Sequence, residues 1–191
     1  MSTIVVACKN GIAAIAADTL STTGNVKIAA KYDKSPDKIF RTENAFVGFV
    51  GSAATQIAFE NALRTNAKKV KLDTRENIFE TLRFLHPILK EKYFLNPKED
   101  EEDPFESSHL EAVIVSPGGI FGAYALRDIV EYQRFWAVGS GGDFAVGAMF
   151  AVYDQLDSAE EIAKIGVMAG CEFDRNSGTP ITVYTTKLTN A

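Results

Sequence analysis

The sequence predicts one α+β domain in which pairs of strands alternate with pairs of helices. β-branched runs flank short turn signals at residues 4–18 and again at residues 111–126, which is the pattern of a β-hairpin. Apolar residues at helical spacing predict two helices between residues 52 and 94 and two more between residues 145 and 170. A last strand is expected at 181–188. With 191 residues, 46% of them hydrophobic, the chain is long enough to bury one sizeable core.

The N-terminal hairpin is the most specific of these patterns. An apolar, β-branched run begins at Ile4 and is followed by Asn10-Gly11, a favoured two-residue turn, and by a second apolar run that ends at Asp18. Because the strands of a hairpin lie side by side, we expect Asp18 to return beside Ser2.

Ser2 directly follows the initiator Met1. If Met1 is removed, Ser2 carries both a hydroxyl and a free α-amine. The α-amine has a reference pKa near 8, so at neutral pH it can take the proton of the hydroxyl and later return it to a leaving amine. One residue would then supply nucleophile and base. The alternative is that Ser2 is only a small residue that permits removal of Met1.

This N-terminal stretch resembles the threonine peptidases that comprise proteasome β-subunits and the bacterial HslV-type protease. In that family an apolar strand and a turn follow the nucleophile, and an Asp closes the second strand sixteen residues later, as Asp18 does after Ser2. The family usually has Thr where this chain has Ser. The resemblance implies a four-layer αββα sandwich of the N-terminal-nucleophile hydrolase type, formed by residues 1–191 as one β-like peptidase domain.

The resemblance also assigns roles to Lys38 and Gly48. The family has a Lys before two apolar residues with its amine beside the nucleophile, and Lys38-Ile39-Phe40 matches this pattern. A buried ammonium lowers the pKa of a neighbouring hydroxyl or amine, and Asp18 would neutralise it. Gly48 by resemblance donates its N–H to the oxyanion. The alternatives are an exposed strand lysine and a glycine kept for strand geometry.

Ser140, Asp174 and Ser177 complete the site that the resemblance implies. The Gly-Ser-Gly turn at Ser140 precedes the third helix of the family, and Asp174 with Ser177 matches the proteasomal pattern of Asp, two residues, then Ser and Gly. These three would position the amine of Ser2. A glycine-rich turn and ordinary loop chemistry are the alternatives. In some relatives main-chain carbonyls of this loop hold a cation, which by position would involve Gly170, Phe173 and Asn176, and we leave a metal open.

Composition restricts the partners. A net charge of −5 argues against nucleic acid and anionic membranes. The two cysteines lie far apart without metal-ligand spacing, which favours a reduced, cytoplasmic protein, and neither a signal peptide nor a transmembrane helix is predicted. The acidic block in residues 96–109 predicts a solvated loop. His86 beside an apolar stripe lacks a recognisable partner and is interpreted as structural or exposed.

The resemblance implies an endopeptidase that hydrolyses peptide bonds inside stacked homo-oligomeric rings, hexameric or heptameric. Its substrates would be peptides or unfolded proteins, no cofactor is required, and an ATPase unfoldase is a candidate partner. Two alternatives stay open: a catalytically weak or silent ring subunit, and an amidase of the same fold. A floor of the primary specificity pocket is expected at Phe46, where the family has a pocket residue.

Overall fold

A computed structural model describes residues 2–96, 103–108 and 110–189. The central part of the predicted acidic loop, residues 97–102, lies outside the described residues. Within the described ranges no helix is long and apolar enough to cross a membrane.

The predicted hairpins, helix pairs and last strand follow one another in the predicted order. The strands are β1 (Ile4–Lys9), β2 (Ile12–Asp18), β3 (Ser21–Thr23), β4 (Val26–Ile28), β5 (Ile39–Arg41), β6 (Phe46–Val50), β7 (Glu111–Ser116), β8 (Gly119–Ala123), β9 (Ile129–Tyr132), β10 (Phe135–Val138) and β11 (Ile181–Lys187). The helices are α1 (Ala53–Thr65), α2 (Arg75–Lys92), α3 (Gly142–Val152) and α4 (Ala159–Phe173). One sheet has the order β10-β1-β2-β11, another has the order β5-β6-β7-β8-β9, and β3 pairs with β4 alone.

Apolar contacts stack these elements in four layers. The inner faces of the two large sheets meet through side chains such as Ile4, Ile15 and Val113, all of them fully buried. Helices α1 and α2 cover the outer face of the β5–β9 sheet, where Phe59 of α1 lies in one cluster with strand residues of that sheet. Helices α3 and α4 cover the other sheet around Met149. The predicted αββα sandwich is confirmed.

The N-terminal hairpin has the predicted turn but a register shifted by one residue from our expectation. Asn10 and Gly11 have φ values of 49° and 73°, which suits a two-residue turn with left-handed residues at both positions. Ile4 pairs with Ala17, so the next residue outward, Thr3, lies opposite Asp18. The Asp18 N–H donates to the Thr3 carbonyl at 3.1 Å. The expectation that Asp18 returns directly beside Ser2 is therefore wrong by one residue, and Ser2 lies beyond the last pair.

Three helices begin at hydroxyl caps. The side chains of Ser52, Thr74 and Ser158 each accept a hydrogen bond from the backbone N–H three residues later, which satisfies a donor that the first helical turn leaves unpaired. The α2 helix continues through Pro87. α3 begins at Gly142, three residues before the predicted start at Ala145, and has no side-chain cap.

The predicted buried face of α1 is wrong in part. Helical spacing places Ala54 and Ile57 on one face with Ala58 and Ala62 and predicts that this face is buried, but Ala54 is exposed and Ile57 is 57% exposed. The buried residues are Ala58, Phe59, Ala62 and Leu63. Both stripes have helical spacing, and the one that contains the larger Phe59 and Leu63 side chains buries more apolar area.

The sequence did not predict β9, and it extended the preceding strand too far. β8 ends at Ala123 rather than Leu126, and a short 3₁₀ turn with Leu126 and Arg127 at positive φ leads into β9. β9 is the four-residue edge strand of its sheet. Left-handed conformations at Leu and Arg carry no signal in sequence, because these residues seldom adopt them.

Replacement of Phe59 by Ala tests the outer core. Phe59 is fully buried and its ring centroid lies 5.2 Å from that of Phe49. Loss of a buried Phe side chain leaves a cavity, so we expect the free energy of unfolding to fall by about 3–5 kcal/mol. Denaturant unfolding at a fixed protomer concentration measures this. Phe94→Ala is the control, since Phe94 is 86% exposed. Equal effects of the two changes would contradict the packing described above.

Candidate active site

The Asp18 carboxylate is the centre of a buried polar cluster at the end of β2. Its Oδ1 accepts hydrogen bonds from the Thr3 N–H at 3.0 Å and from the Lys38 ammonium at 2.7 Å. Its Oδ2 accepts from the backbone N–H groups of Leu20 at 3.0 Å and Gly178 at 3.1 Å. Asp18 itself has no solvent exposure. Four donors from four segments of the chain therefore hold one buried charge.

Lys38 reaches this carboxylate from the segment that precedes β5. It is only 9% exposed, so the alternative of an exposed strand lysine is wrong. The preceding residue, Asp37, accepts hydrogen bonds from Thr182 Oγ1 at 2.9 Å and Tyr184 Oη at 2.6 Å. These bonds fasten the segment to β11. The Lys38–Asp18 pair thus joins the two large sheets at one edge of the sandwich.

Ser2 precedes Thr3, whose N–H donates to Asp18, and it is 6% exposed. Its carbonyl accepts a hydrogen bond from the Gly141 N–H at 3.3 Å. Gly139 of the same turn has a φ of 91°, and a Cβ there would lie 2.2 Å from the Ser2 carbonyl oxygen. Only glycine permits both this backbone conformation and this close approach. The Gly-rich turn therefore fixes the main chain of Ser2.

A second polar group lies at the C-terminal end of α4. The carboxylate Oδ2 of Asp174 accepts hydrogen bonds from Ser140 Oγ and from Ser177 Oγ, each at 2.7 Å. Burial acts to raise the pKa of Asp174, but hydrogen bonds from Ser140, Ser177 and Asn176 outweigh it, and the pKa lies below its ordinary value. Asp174 is ionised at neutral pH.

Thr3 connects the two groups, and it is the residue that the sequence analysis missed. Its N–H binds Asp18, and its hydroxyl lies 2.7 Å from Ser177 Oγ. The missed signal is the hairpin register itself, because counting back from the Asn10-Gly11 turn places Thr3 opposite Asp18. We call Asp18, Lys38, Thr3, Ser140, Asp174 and Ser177 the polar cluster.

Gly48 lies in β6 at the inner face of its sheet. It pairs with Ile39 of β5 and with Val113 of β7. A Cβ at this position would lie 2.7 Å from Ile4 Cγ2, so the packing of the two sheets already requires a glycine here. Its assignment as the oxyanion donor stays a prediction. Phe46, two residues earlier on the same face, stacks on Tyr184 with ring centroids 4.9 Å apart.

The Cys171 thiol is unsuited to a nucleophilic role. Burial raises the pKa of the Cys171 thiol to about 11, the charges of Asp18 and Asp174 add to this shift, and Lys38 opposes it. The thiol is therefore protonated at neutral pH.

His86 lies on α2, which covers the opposite sheet. It has neighbours that the sequence did not reveal: its Nε2 is 3.7 Å from Glu106, and its Nδ1 is 3.4 Å from Ser108 Oγ.

Side-chain clusters that could hold a metal ion, meaning three or more His, Cys, Asp or Glu, are absent from the described part of the chain. In the last turn of α4, the Gly170 carbonyl accepts the Asp174 N–H at 2.9 Å. The cation site at the carbonyls of Gly170, Phe173 and Asn176 stays a prediction. A cavity of about 760 Å³ lies apart from the polar cluster, between the turn at Glu43-Asn44 and the start of α2.

Comparison with known proteins identifies the family. The model of the proteasome subunit family matches residues 1–186. The chain belongs to the proteasome subunit family. No curated protein matches its sequence significantly.

Solved structures agree with this membership. The Thiobacillus denitrificans BPH structure is 38% identical in sequence, covers 99% of this chain and 100% of its own, and has a TM-score of 0.90. A structure of Thiobacillus denitrificans BPH in complex with epoxomicin is 36% identical over 98% of this chain and 99% of its own, also with a TM-score of 0.90. The eukaryotic HslV from Trypanosoma brucei shares the fold at a TM-score of 0.73, with 19% identity over 97% of this chain and 99% of its own. The fold is therefore the proteasome-type N-terminal-nucleophile hydrolase fold.

Removal of the Asp18 charge tests the energetics of the site. In Asp18→Asn the Lys38 ammonium loses its counter-charge, and one oxygen that accepts two hydrogen bonds becomes an NH₂ donor. Breaking a buried ion pair from one side typically costs about 3–5 kcal/mol, and we expect a loss of that size in the free energy of unfolding. Asp33→Asn is the matched control, because the Asp33 carboxylate accepts one exposed bond, from Ser35 N–H. A thermal midpoint unchanged by Asp18→Asn would show that the pair carries no net stability.

Proposed function

We propose that this proteasome-type chain is an N-terminal-nucleophile peptidase in which Ser2 is the nucleophile after removal of Met1. The observation that carries the proposal is that the residue after Ser2, Thr3, bonds to Asp18 of the Lys38–Asp18 pair and contacts Ser177 of the Ser140–Asp174–Ser177 group. Ser2 itself accepts a hydrogen bond from Gly141, the residue after Ser140. An N-terminal nucleophile needs a positive charge near its hydroxyl and hydrogen-bond partners that orient its amine. We assign the first role to Lys38 and the second to Ser140, Asp174 and Ser177.

The mechanism follows from these neighbours. The Ser2 hydroxyl attacks the carbonyl carbon of the scissile bond while the α-amine of Ser2 takes its proton. The Lys38 ammonium stabilises negative charge that develops on the hydroxyl oxygen, and the Gly48 N–H donates to the oxyanion. The amine returns the proton to the leaving amine of the substrate, and water then hydrolyses the ester to Ser2 with the same amine as base. Ser140, Asp174 and Ser177 orient the amine. This route requires no cofactor.

Thr3 is the neighbouring hydroxyl residue, and its geometry argues against it as nucleophile. It has no solvent exposure, and its hydroxyl already lies 2.7 Å from Ser177 Oγ. A substrate carbonyl would have to displace this bond and enter the packed interior. Ser2 precedes Thr3 and lies two residues before the start of β1.

Variants at Ser2 and Lys38 test the chemistry through hydrolysis of fluorogenic peptides. Ser2→Ala should abolish turnover because the nucleophile is gone, while Ser2→Thr should keep or raise it. Lys38→Ala should be nearly as damaging as Ser2→Ala, because the hydroxyl loses the adjacent positive charge. Small or medium apolar residues should be preferred before the cut, given Phe46 as a pocket floor. Ser35→Ala, in an exposed loop, is the matched control.

Two measurements make these variants decisive. Intact mass reports whether Met1 is absent from the active protein, and a mass that includes Met1 would move the nucleophile elsewhere. If Ser2→Ala retains wild-type turnover, the assignment is wrong. If the wild type cleaves no peptide, hydrolysis of small amides separates the amidase alternative from a silent ring subunit.

We further propose that the chain assembles into stacked homo-oligomeric rings of six or seven subunits each. α3 (Gly142–Val152) contains a single charged residue, Asp143, and a helix that is apolar all round is normally covered. Yet Phe150 is 73% and Phe144 45% exposed in the single chain. Phe173 of α4 lies next to Phe144, with ring centroids 5.6 Å apart, and is 68% exposed. Phe144 and Phe173 thus form an exposed apolar patch, Phe150 is a further exposed apolar side chain of α3, and a second subunit would bury them.

Light scattering tests the assembly at micromolar protomer concentration. We expect a mass of twelve or fourteen subunits, and Phe150→Glu should reduce it because a charge would enter the covered face. Val26→Glu is the control, since Val26 is 65% exposed in the short β3–β4 hairpin. A monomeric wild type would contradict the ring.

A peptide or unfolded protein as substrate, an ATPase unfoldase as partner and a cytoplasmic location are part of the same proposal. We extend to this chain the binding of epoxomicin that the Thiobacillus relative shows.

A further inference from the structure

Thr3 is held on every side although it does not belong to the predicted site. Its N–H donates to Asp18 Oδ1 at 3.0 Å and its carbonyl accepts the Asp18 N–H at 3.1 Å. Its hydroxyl contacts Ser177 Oγ at 2.7 Å, and the residue has no solvent exposure. It is thus the link in the described structure between the Lys38–Asp18 pair and the Ser140–Asp174–Ser177 group.

The direction of the hydrogen bonds can be assigned by counting protons. A serine hydroxyl has one proton, and that of Ser177 is donated to Asp174 Oδ2 at 2.7 Å. The 2.7 Å contact between Thr3 and Ser177 then needs its proton from Thr3. The order is Thr3 to Ser177 to Asp174, with each O–H donating toward the carboxylate. Hydrogen bonds aligned in this way strengthen one another in a buried site.

The space around Thr3 prevents other arrangements of its side chain. A Cβ at Gly170 would lie 2.2 Å from Thr3 Oγ1 and 2.5 Å from its Cγ2, and a Cβ at Gly141 would lie 1.9 Å from the same Oγ1. The main chains of α4 and of the Gly-rich turn therefore form the walls of the Thr3 site. Since Thr is β-branched, its χ1 angle is already restricted. The hydroxyl is fixed in the direction of Ser177.

We infer that Thr3 is a positioning residue that keeps the Ser177 oxygen as an acceptor of limited capacity for the α-amine of Ser2. This inference rests on the proposed function. The Ser177 hydroxyl oxygen has two lone pairs. When one of them accepts the proton of the Thr3 hydroxyl, one is left to accept a hydrogen bond from the amine. Without the Thr3 hydroxyl, a charged ammonium gains a second acceptor position and is favoured over the neutral amine that must act as base. The Ser177 hydroxyl also loses the partner that fixes its rotation.

Thr3→Val tests the inference, because Val keeps the shape of Thr and removes the hydroxyl. We expect kcat for a fluorogenic peptide to fall about tenfold, the effect of one buried hydrogen bond, while KM changes little. Favouring the ammonium raises the pKa of the amine, so the acidic limb of the kcat/KM profile should move to higher pH. Thr3→Ser restores the hydroxyl and should recover most of the rate and the wild-type profile.

The matched control is Thr19→Val. Thr19 is also buried, and its hydroxyl donates to the Pro180 carbonyl at 2.6 Å without touching the polar cluster. It should lower stability without moving the pH profile. If Thr3→Val does not assemble by light scattering, the comparison is made between Thr3→Ser and Thr3→Ala.

Two results would overturn the inference. Wild-type kcat and an unmoved pH profile in Thr3→Val would show that the hydroxyl does not act on the amine. Equal impairment of Thr3→Ser and Thr3→Val, with an unmoved profile, would show that Thr3 acts by packing alone. Ser2→Ala in the same assay separates this from a failure of the proposed function: turnover retained by Ser2→Ala removes the nucleophile assignment, whereas inactive Ser2→Ala with unaffected Thr3→Val removes only the role of Thr3.

Discussion

The buried carboxylate of Asp18 is the interaction on which the site depends. An isolated charge in the interior would cost several kcal/mol, and the fold offsets this with one ammonium and three backbone N–H groups. Those donors belong to the start of β1, the segment after β2, the segment before β5 and the loop before β11. Satisfying one charge thus fixes four segments between residues 3 and 178, and one of them is Thr3, the residue after Ser2.

Asp174 is a second buried carboxylate, and it is stabilised by hydroxyl groups rather than by an ammonium. It caps the C-terminal end of α4, where the helix dipole disfavours a negative charge by about 0.3–1 kcal/mol. Hydrogen bonds to a charged group contribute about 1.5–3 kcal/mol each, and Asp174 accepts one from Ser140 and one from Ser177. The stabilisation from these hydrogen bonds therefore outweighs the unfavourable effect of the helix dipole. The hydroxyl groups of Ser140 and Ser177 are in this way held by an anion whose position the helix end determines.

Much of the fold could be predicted because the decisive signals are local. The Asn10-Gly11 turn, the hydroxyl caps of three helices and the alternation of apolar runs need no tertiary information. The orientation of α1 and the edge strand β9 could not be predicted, since each depends on which of several short apolar stripes finds a partner. The members of the polar cluster other than Thr3 were predicted from the resemblance to the family. Nothing in the sequence near Lys38 or Ser177 shows that these residues contact Asp18 and Thr3. Thr3 itself was within reach, because the hairpin register alone places it opposite Asp18.

The rigid surroundings of residues 2 and 3 bear on the presence of Ser where the family usually has Thr. The Ser2 carbonyl is fixed by Gly141, and Thr3 is fixed on its main chain and side chain, so the freedom left to Ser2 is chiefly rotation about χ1. Restricting three rotamers to one costs at most about 0.65 kcal/mol, or about threefold in rate. In the mechanism that we propose, loss of the Ser2 hydroxyl or of the Lys38 ammonium lowers the rate by several orders of magnitude. For the proposed nucleophile the methyl group of Thr is therefore a small refinement, and a chain with Ser2 keeps the groups that the proposed chemistry requires.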